Sequence, residues 1–137
     1  MKKILILFLL ISTTAFSQYL RVPETIQEYD QWCWAGSSSC ILKYYGKNIS
    51  QCTIAEYTRV NATWHNFGSV NCCVSATQGC NYWNYNWGYA GSLLDILQNW
   101  GVNNTGLGSA LTTTQIQTEV TGQRPFVIRW GWYSGGG

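Results

Sequence analysis

The sequence holds one constellation with clear chemical potential: Gln27, five intervening residues, then Cys33-Trp34-Ala35. Residues 33–45, CWAGSSSCILKYY, predict an α-helix stopped by Gly46, which puts Cys33 at the helix N-terminus. A thiol there sits among unsatisfied N–H groups at the positive end of the helix dipole, and both favour the thiolate. Thiolate attack on a carbonyl creates an oxyanion, which needs donors placed beforehand. The backbone N–H of Cys33 can supply one. Gln27, on the loop feeding the helix, can fold back and supply another through its carboxamide. The chemistry expected is acyl transfer, with Cys33 as nucleophile and Gln27 as oxyanion donor.

Six cysteines lie at positions 33, 40, 52, 72, 73 and 80. An even count in an exported chain first suggests three disulfides. Their neighbourhoods divide them: Cys33 and Cys40 fall in the predicted helix, whereas Cys52, Cys72, Cys73 and Cys80 surround a polar, loop-rich segment. Two disulfides among those four, with connectivity open and Cys33 and Cys40 free, is the expectation. Cys40 lies two turns beyond Cys33 on the same face and reads as a small buried residue. A zinc site from His65, Cys52, Cys72 and Cys80 is disfavoured by the lack of a C-x-x-C pair and by the adjacency of Cys72 and Cys73. No metal and no cofactor is expected.

The elements that must position these groups read as mostly helical. The first half of the Cys33 helix is Ala35, Gly36 and three serines, mediocre helix formers, so it must be held by packing on several sides. A polar arm precedes it, from Gln18 to Gln31. Further helices are expected over 51–58, capped by Ser50, over 92–100, and over 114–120, capped by Thr113. Alternation of Phe126, Ile128, Trp130 and Trp132 with their neighbours predicts a strand over 126–133. Between them, residues 60–91 lack any period. They carry the aromatic run Tyr82, Trp83, Tyr85, Trp87 and Tyr89, readable as a packed loop core with a partly exposed edge or as a cleft wall or sugar-stacking platform.

Composition narrows the function. Two lysines, the apolar run ILILFLLI and Ala15-Phe16-Ser17 have the order of a secretory signal peptide over residues 1–17. Its removal takes Lys2 and Lys3 from a chain of formal charge +2, leaving a balance near zero. A basic nucleic-acid binder and a polybasic membrane-surface protein are thereby excluded, and no later stretch is apolar enough to span a bilayer. Residues 18–137 read as one secreted or periplasmic domain, expected to be monomeric, with eight Trp and nine Tyr to build a cleft-bearing core.

The Gln-x5-Cys-Trp-Ala spacing resembles that of the papain-like cysteine peptidases. Trp32-Cys33-Trp34, Ile41 to Gly46, Ser50-Gln51-Cys52, Cys72-Cys73, Cys80-Asn81 and Arg124 to Ile128 together look like one secreted bacterial branch. That branch is similar to avirulence-effector peptidases and to double-glycine-type peptidases. Just before the nucleophile, Gln31-Trp32 replaces the Gly-Ser pair of plant papains. The resemblance implies an α+β papain-like fold, a peptide or protein substrate, and a basic histidine with an orienting Asn or Asp later in the chain. The sole histidine, His65, lies in the disulfide-flanked segment instead, and the chain ends on Gly135-Gly136-Gly137, where the family's turn precedes its histidine. The expectation is therefore a helical half plus the first strand of an incomplete β half, inactive in turnover. Trp32, Trp34 and Trp132 are candidate substrate contacts. A disulfide-stabilised module that binds carbohydrate or protein without catalysis is the competing reading.

Overall fold

The structure, a computed structural model, describes residues 19–129. The segment read as a signal peptide and Trp132 lie outside them. Among the described residues there are four helices: α1 (Cys33–Tyr44), α2 (Gln51–Asn61), α3 (Leu93–Asn99) and α4 (Thr113–Thr121).

α1 is the centre of the fold. Its weak helix formers are the buried ones: Ala35, Gly36, Ser38 and Ser39 lie in the interior with Trp34, Ile41 and Leu42. Burial of Trp32, Leu42, Ile54 and Ile96 from water supplies the stabilisation that intrinsic preference does not. Both α2 and α3 pack on α1 and on each other. The side chain of Ser50 accepts from Thr53 N–H to start α2, whose inward stripe is Gln51, Ile54, Ala55 and Thr58 at three- and four-residue spacing. α2 runs three residues past the expected Thr58. Thr58 is itself anchored inside by donating to Gly91 O (2.8 Å), and Asn61 folds back onto Tyr57 O (2.8 Å). α4 starts one residue early because Thr112, not Thr113, forms a reciprocal capping box with Gln115. It buries no residue and packs on no other helix. Tyr44 Oη, donating to Gln123 O at 2.9 Å, ties the turn after α4 to the end of α1.

The expected α+β architecture is not found among the described residues, which are helical. No strand occurs among the described residues, and the first part of the predicted strand, 126–129, is irregular; residues 130–133 lie outside the description. Alternating side chains mark a segment able to pair, yet a strand exists only when a neighbour takes its N–H and C=O groups. No backbone hydrogen bond joins residues 125–129 to another described segment. Instead Pro125 to Ile128 line a groove of about 480 Å³ with Leu20 and Val22 of the arm, Val120, and Ser37, Cys40 and Ile41 of α1. These residues border a groove on α1, with Val127 and Ile128 still exposed, and pair in no sheet among the described residues.

Residues 62–91 form one long loop, cross-linked by Cys52–Cys73 to α2 and by Cys72–Cys80 within itself. Its two limbs cross backbone on backbone at Gly68 and Gly79. Both glycines have positive φ, at 83° and 119°; a Cβ on Gly68 would run into Gln78 O, and one on Gly79 would lie 2.5 Å from Phe67 O. On the far side, Tyr57 of α2 donates to Asp95 Oδ2 of α3 (3.0 Å), which also accepts from Gly91 N–H (2.7 Å). Burial first, and then this bond to a carboxylate, push the Tyr57 phenol up to about 12. No helix among the described residues is long and apolar enough to cross a membrane.

Two glycine substitutions and one alkaline titration test these contacts. Gly68→Ala should cost about 3 kcal/mol or more in urea unfolding, through strain plus a backbone collision. Gly36→Ala should be neutral or stabilise by up to about 1 kcal/mol, since the nearest atoms to its new methyl stand at ordinary contact distance, 3.6 Å and beyond. For Tyr57, the raised folded-state value means its contribution to stability is complete below the ordinary phenol value of about 10. That contribution is lost as pH rises from there toward about 12. Absorbance titration of the phenolates, repeated on Tyr57→Phe, should show the last-titrating tyrosine missing, and the variant should lose less stability over that alkaline range.

Candidate active site

The approach to α1 is a tight turn. Trp32 N–H donates to Tyr29 O at 2.9 Å, the Tyr29 and Trp32 rings meet edge to face at 4.6 Å, and the chain enters the helix at Cys33. Helix termini usually recruit a polar side chain at the N-cap. Here the cap residue is Trp32, which gives no side-chain cap bond, and the first bond of the helix is Gly36 N–H to Trp32 O at 2.8 Å. The N–H groups of Cys33, Trp34 and Ala35 thus have no acceptor among the described residues. The Cys33 thiol is free and exposed beside them.

Both tryptophans flanking the thiol are pinned to the disulfide loop. Trp32, wholly buried, donates its indole N–H to Cys80 O at 2.8 Å, and Trp34, 4% exposed, donates to Tyr82 O at 2.9 Å. Between those carbonyls, Asn81 accepts from Gln31 N–H (3.2 Å) and donates to Asp30 Oδ1 (2.6 Å). Residues 30–34 are therefore clamped along 80–82 by four hydrogen bonds. Burial makes Trp32 and Trp34 anchors of the thiol turn more than rings offered to a ligand.

Gln27 lies alongside the same turn. Its Cα and Cβ stand 3.9 Å from where a Gly36 Cβ would be, and Gly36 shares the face of Cys33, one turn earlier. Its carboxamide is folded onto its own loop, donating to Tyr29 O at 2.6 Å and to Asp30 O at 3.0 Å. Gln27 and Cys33 are thus brought to one end of α1, while the amide protons need a rotation to face an oxyanion. Cys40, half-buried, is free and faces the groove under the arm.

His65 is elsewhere in the packing. Its ring stacks on Tyr82, centroids 3.6 Å apart and nearly parallel, with the Phe67 ring edge-on to it at 4.9 Å. Among the described residues no hydrogen bond joins it to Cys33. Trp64, Trp83 and Tyr85 continue the cluster, so most of the aromatic run is spent on mutual packing; Trp87 and Tyr89 form its exposed edge. Glu56 approaches Cys72 and Cys80, but those two sulfurs are bonded to each other and are not thiolate ligands. Glu56 instead accepts from Arg59 and from Cys72 N–H (2.9 Å). The guanidinium's hydrogen bonds, helped by that N–H, hold its carboxyl below the usual carboxylate range.

One buried polar residue beside the site was not singled out by sequence reasoning. Gln51 is 1% exposed, donates to Ile26 O at 2.6 Å, and accepts from Glu28 N–H at 3.1 Å. Its place in the 51, 54, 55, 58 stripe was the available signal that its side chain points inward. Comparison with protein-family models, curated proteins and solved structures finds no match for this chain.

Proposed function

We propose that this protein is a secreted thiol hydrolase of the cysteine-peptidase type, with Cys33 attacking a peptide carbonyl. The observation that carries the reading is a free, exposed thiol on an uncapped helix N-terminus, in a chain whose loop cysteines are consumed by disulfides. The disulfides suit an oxidising compartment. In the attack, the sulfur bonds to the carbonyl carbon and the carbonyl π pair moves to oxygen. Cys33 N–H is open to receive that oxyanion, and Gln27 supplies the second donor after releasing Tyr29 O and Asp30 O. Trp32 and Trp34 keep the turn rigid while this happens, since a donor displaced by an ångström loses much of its worth.

Expulsion of the amine requires a proton donor in hydrogen-bond reach. His65 stacks on Tyr82, and no hydrogen bond joins it to Cys33 among the described residues. The described residues supply attack and oxyanion binding, so capture of an electrophile, not turnover, is the activity to assay first. At pH 6, iodoacetamide should alkylate Cys33 at least about ten times faster than glutathione. Peptide mapping should place the label on Cys33 well before Cys40, and Cys33→Ala should abolish the fast phase. Cys33 found in a disulfide, or alkylated no faster than glutathione, would overturn the reading and favour a binding module presenting Trp87 and Tyr89.

A further inference from the structure

We infer that Gln51 is a positioning residue for Gln27, an inference resting on the reading of Cys33 and Gln27 as nucleophile and oxyanion donor. Gln51 is a polar side chain on the buried face of α2, where the other members are Ile54, Ala55 and Thr58. It is not needed for capping, because Ser50 already takes the Thr53 N–H. Its carboxamide is spent entirely on the arm. Nε2 donates to the carbonyl of Ile26, and Oε1 accepts from the N–H of Glu28, the residues on either side of Gln27. This is the pattern one strand offers the next, delivered by a single side chain to a segment without secondary structure. Oε1 also lies 3.6 Å from the Cβ site of Gly36, so Gln51, Gln27 and the thiol face of α1 meet at one point.

An exposed arm residue without such a clamp would lose its position by ordinary loop motion. Ile26 and Gln27 themselves contribute little burial: Ile26 is 90% exposed and Gln27 is exposed. With the backbone held at 26 and 28, moving the Gln27 amide from Tyr29 O and Asp30 O to an oxyanion at Cys33 is a side-chain rotation that gives up both bonds. Gln51 therefore governs oxyanion binding without touching substrate.

A reversible carbonyl probe separates this role from general support of the fold. With the peptide aldehyde acetyl-alanyl-glycinal, the thiol sulfur bonds to the aldehyde carbon, the π pair moves to oxygen, and the thiol proton ends on that oxygen. Nothing leaves and nothing is oxidised. Affinity is read in the full chain as protection of Cys33 from iodoacetamide, and the alkylation rate without aldehyde is read in the same experiment. Iodoacetamide reacts by displacement and develops no oxyanion on the carbonyl probe's path. Gln51→Met, close in volume and lacking both hydrogen bonds, should weaken aldehyde affinity about tenfold, as Gln27→Ala does, with the double variant little worse than either. Alkylation without aldehyde should not share that loss. Gln51→Glu, which keeps the acceptor for Glu28 N–H, should lose less, and it stands in if the Met variant does not fold. Should Gln27→Ala lose affinity while Gln51→Met and Gln51→Glu keep it, the positioning role is overturned and the oxyanion reading survives. Should Gln27→Ala keep full affinity, the oxyanion reading itself falls. Equal losses of alkylation and aldehyde capture in the Gln51 variants would reduce Gln51 to a structural residue and overturn the inference.

Discussion

Two indole N–H groups, on Trp32 and Trp34, must find acceptors once their rings are buried, because a buried donor left unpaired costs about 1–3 kcal/mol. They find them in the carbonyls of Cys80 and Tyr82. That requirement lays the disulfide loop across the start of α1, and much else follows from it. The loop has no helix or ladder of its own to hold those carbonyls in place. Two disulfides and the Gly68–Gly79 crossing do so instead. Trp32 stands at the cap position with an indole that can only donate, so the helix begins with open N–H groups beside an exposed thiol.

Carboxamides take over where regular secondary structure is missing. Gln51 binds the arm at Ile26 and Glu28, and Asn81 binds the approach at Asp30 and Gln31. Asn84, buried, donates to Gly91 O, the acceptor that Thr58 also uses. Each amide carries donor and acceptor on one short stem: Gln51 satisfies two backbone groups that a strand would otherwise have paired, and Asn81 one backbone N–H and one carboxylate. A chain with few charged residues and many Asn, Gln and Gly can order long loops in this way. The Glu56–Arg59 pair is the charged counterpart, joining α2 to the loop at Cys72 and Gly68.

Helices were legible from the sequence because their signals are local: Ser50 before an apolar stripe, Gly46 after one. The boundary of α2 was not, since its last turn is held by Thr58 reaching Gly91, a contact across 33 residues that no local pattern encodes. The part of the expected strand that is described, 126–129, illustrates the opposite failure. Its alternation was real, but period reports which side chains share a face and says nothing of whether a partner backbone lies alongside. At the thiol site, Cys33 and Gln27 were visible by type and spacing. Gln51 and Asn81 were not, because an amide serving a distant backbone looks like any polar residue until the fold brings the two together.

Cys72 and Cys73 are neighbours that face opposite ways, one inward to Cys80 and one outward to Cys52. Four cysteines allow three pairings. Adjacent cysteines, about 3.8 Å apart at Cα, fall short of the spacing a relaxed disulfide spans, which removes the pairing that joins 72 to 73. The two remaining isomers differ only in which of these neighbours turns toward the core. Glu56, taking the N–H of Cys72 while fixed by Arg59, sets the rotation of that peptide unit. For these four cysteines oxidation is thus a choice between two isomers, and the Glu56 hydrogen bond to Cys72 N–H belongs to the one in which Cys72 turns inward to Cys80.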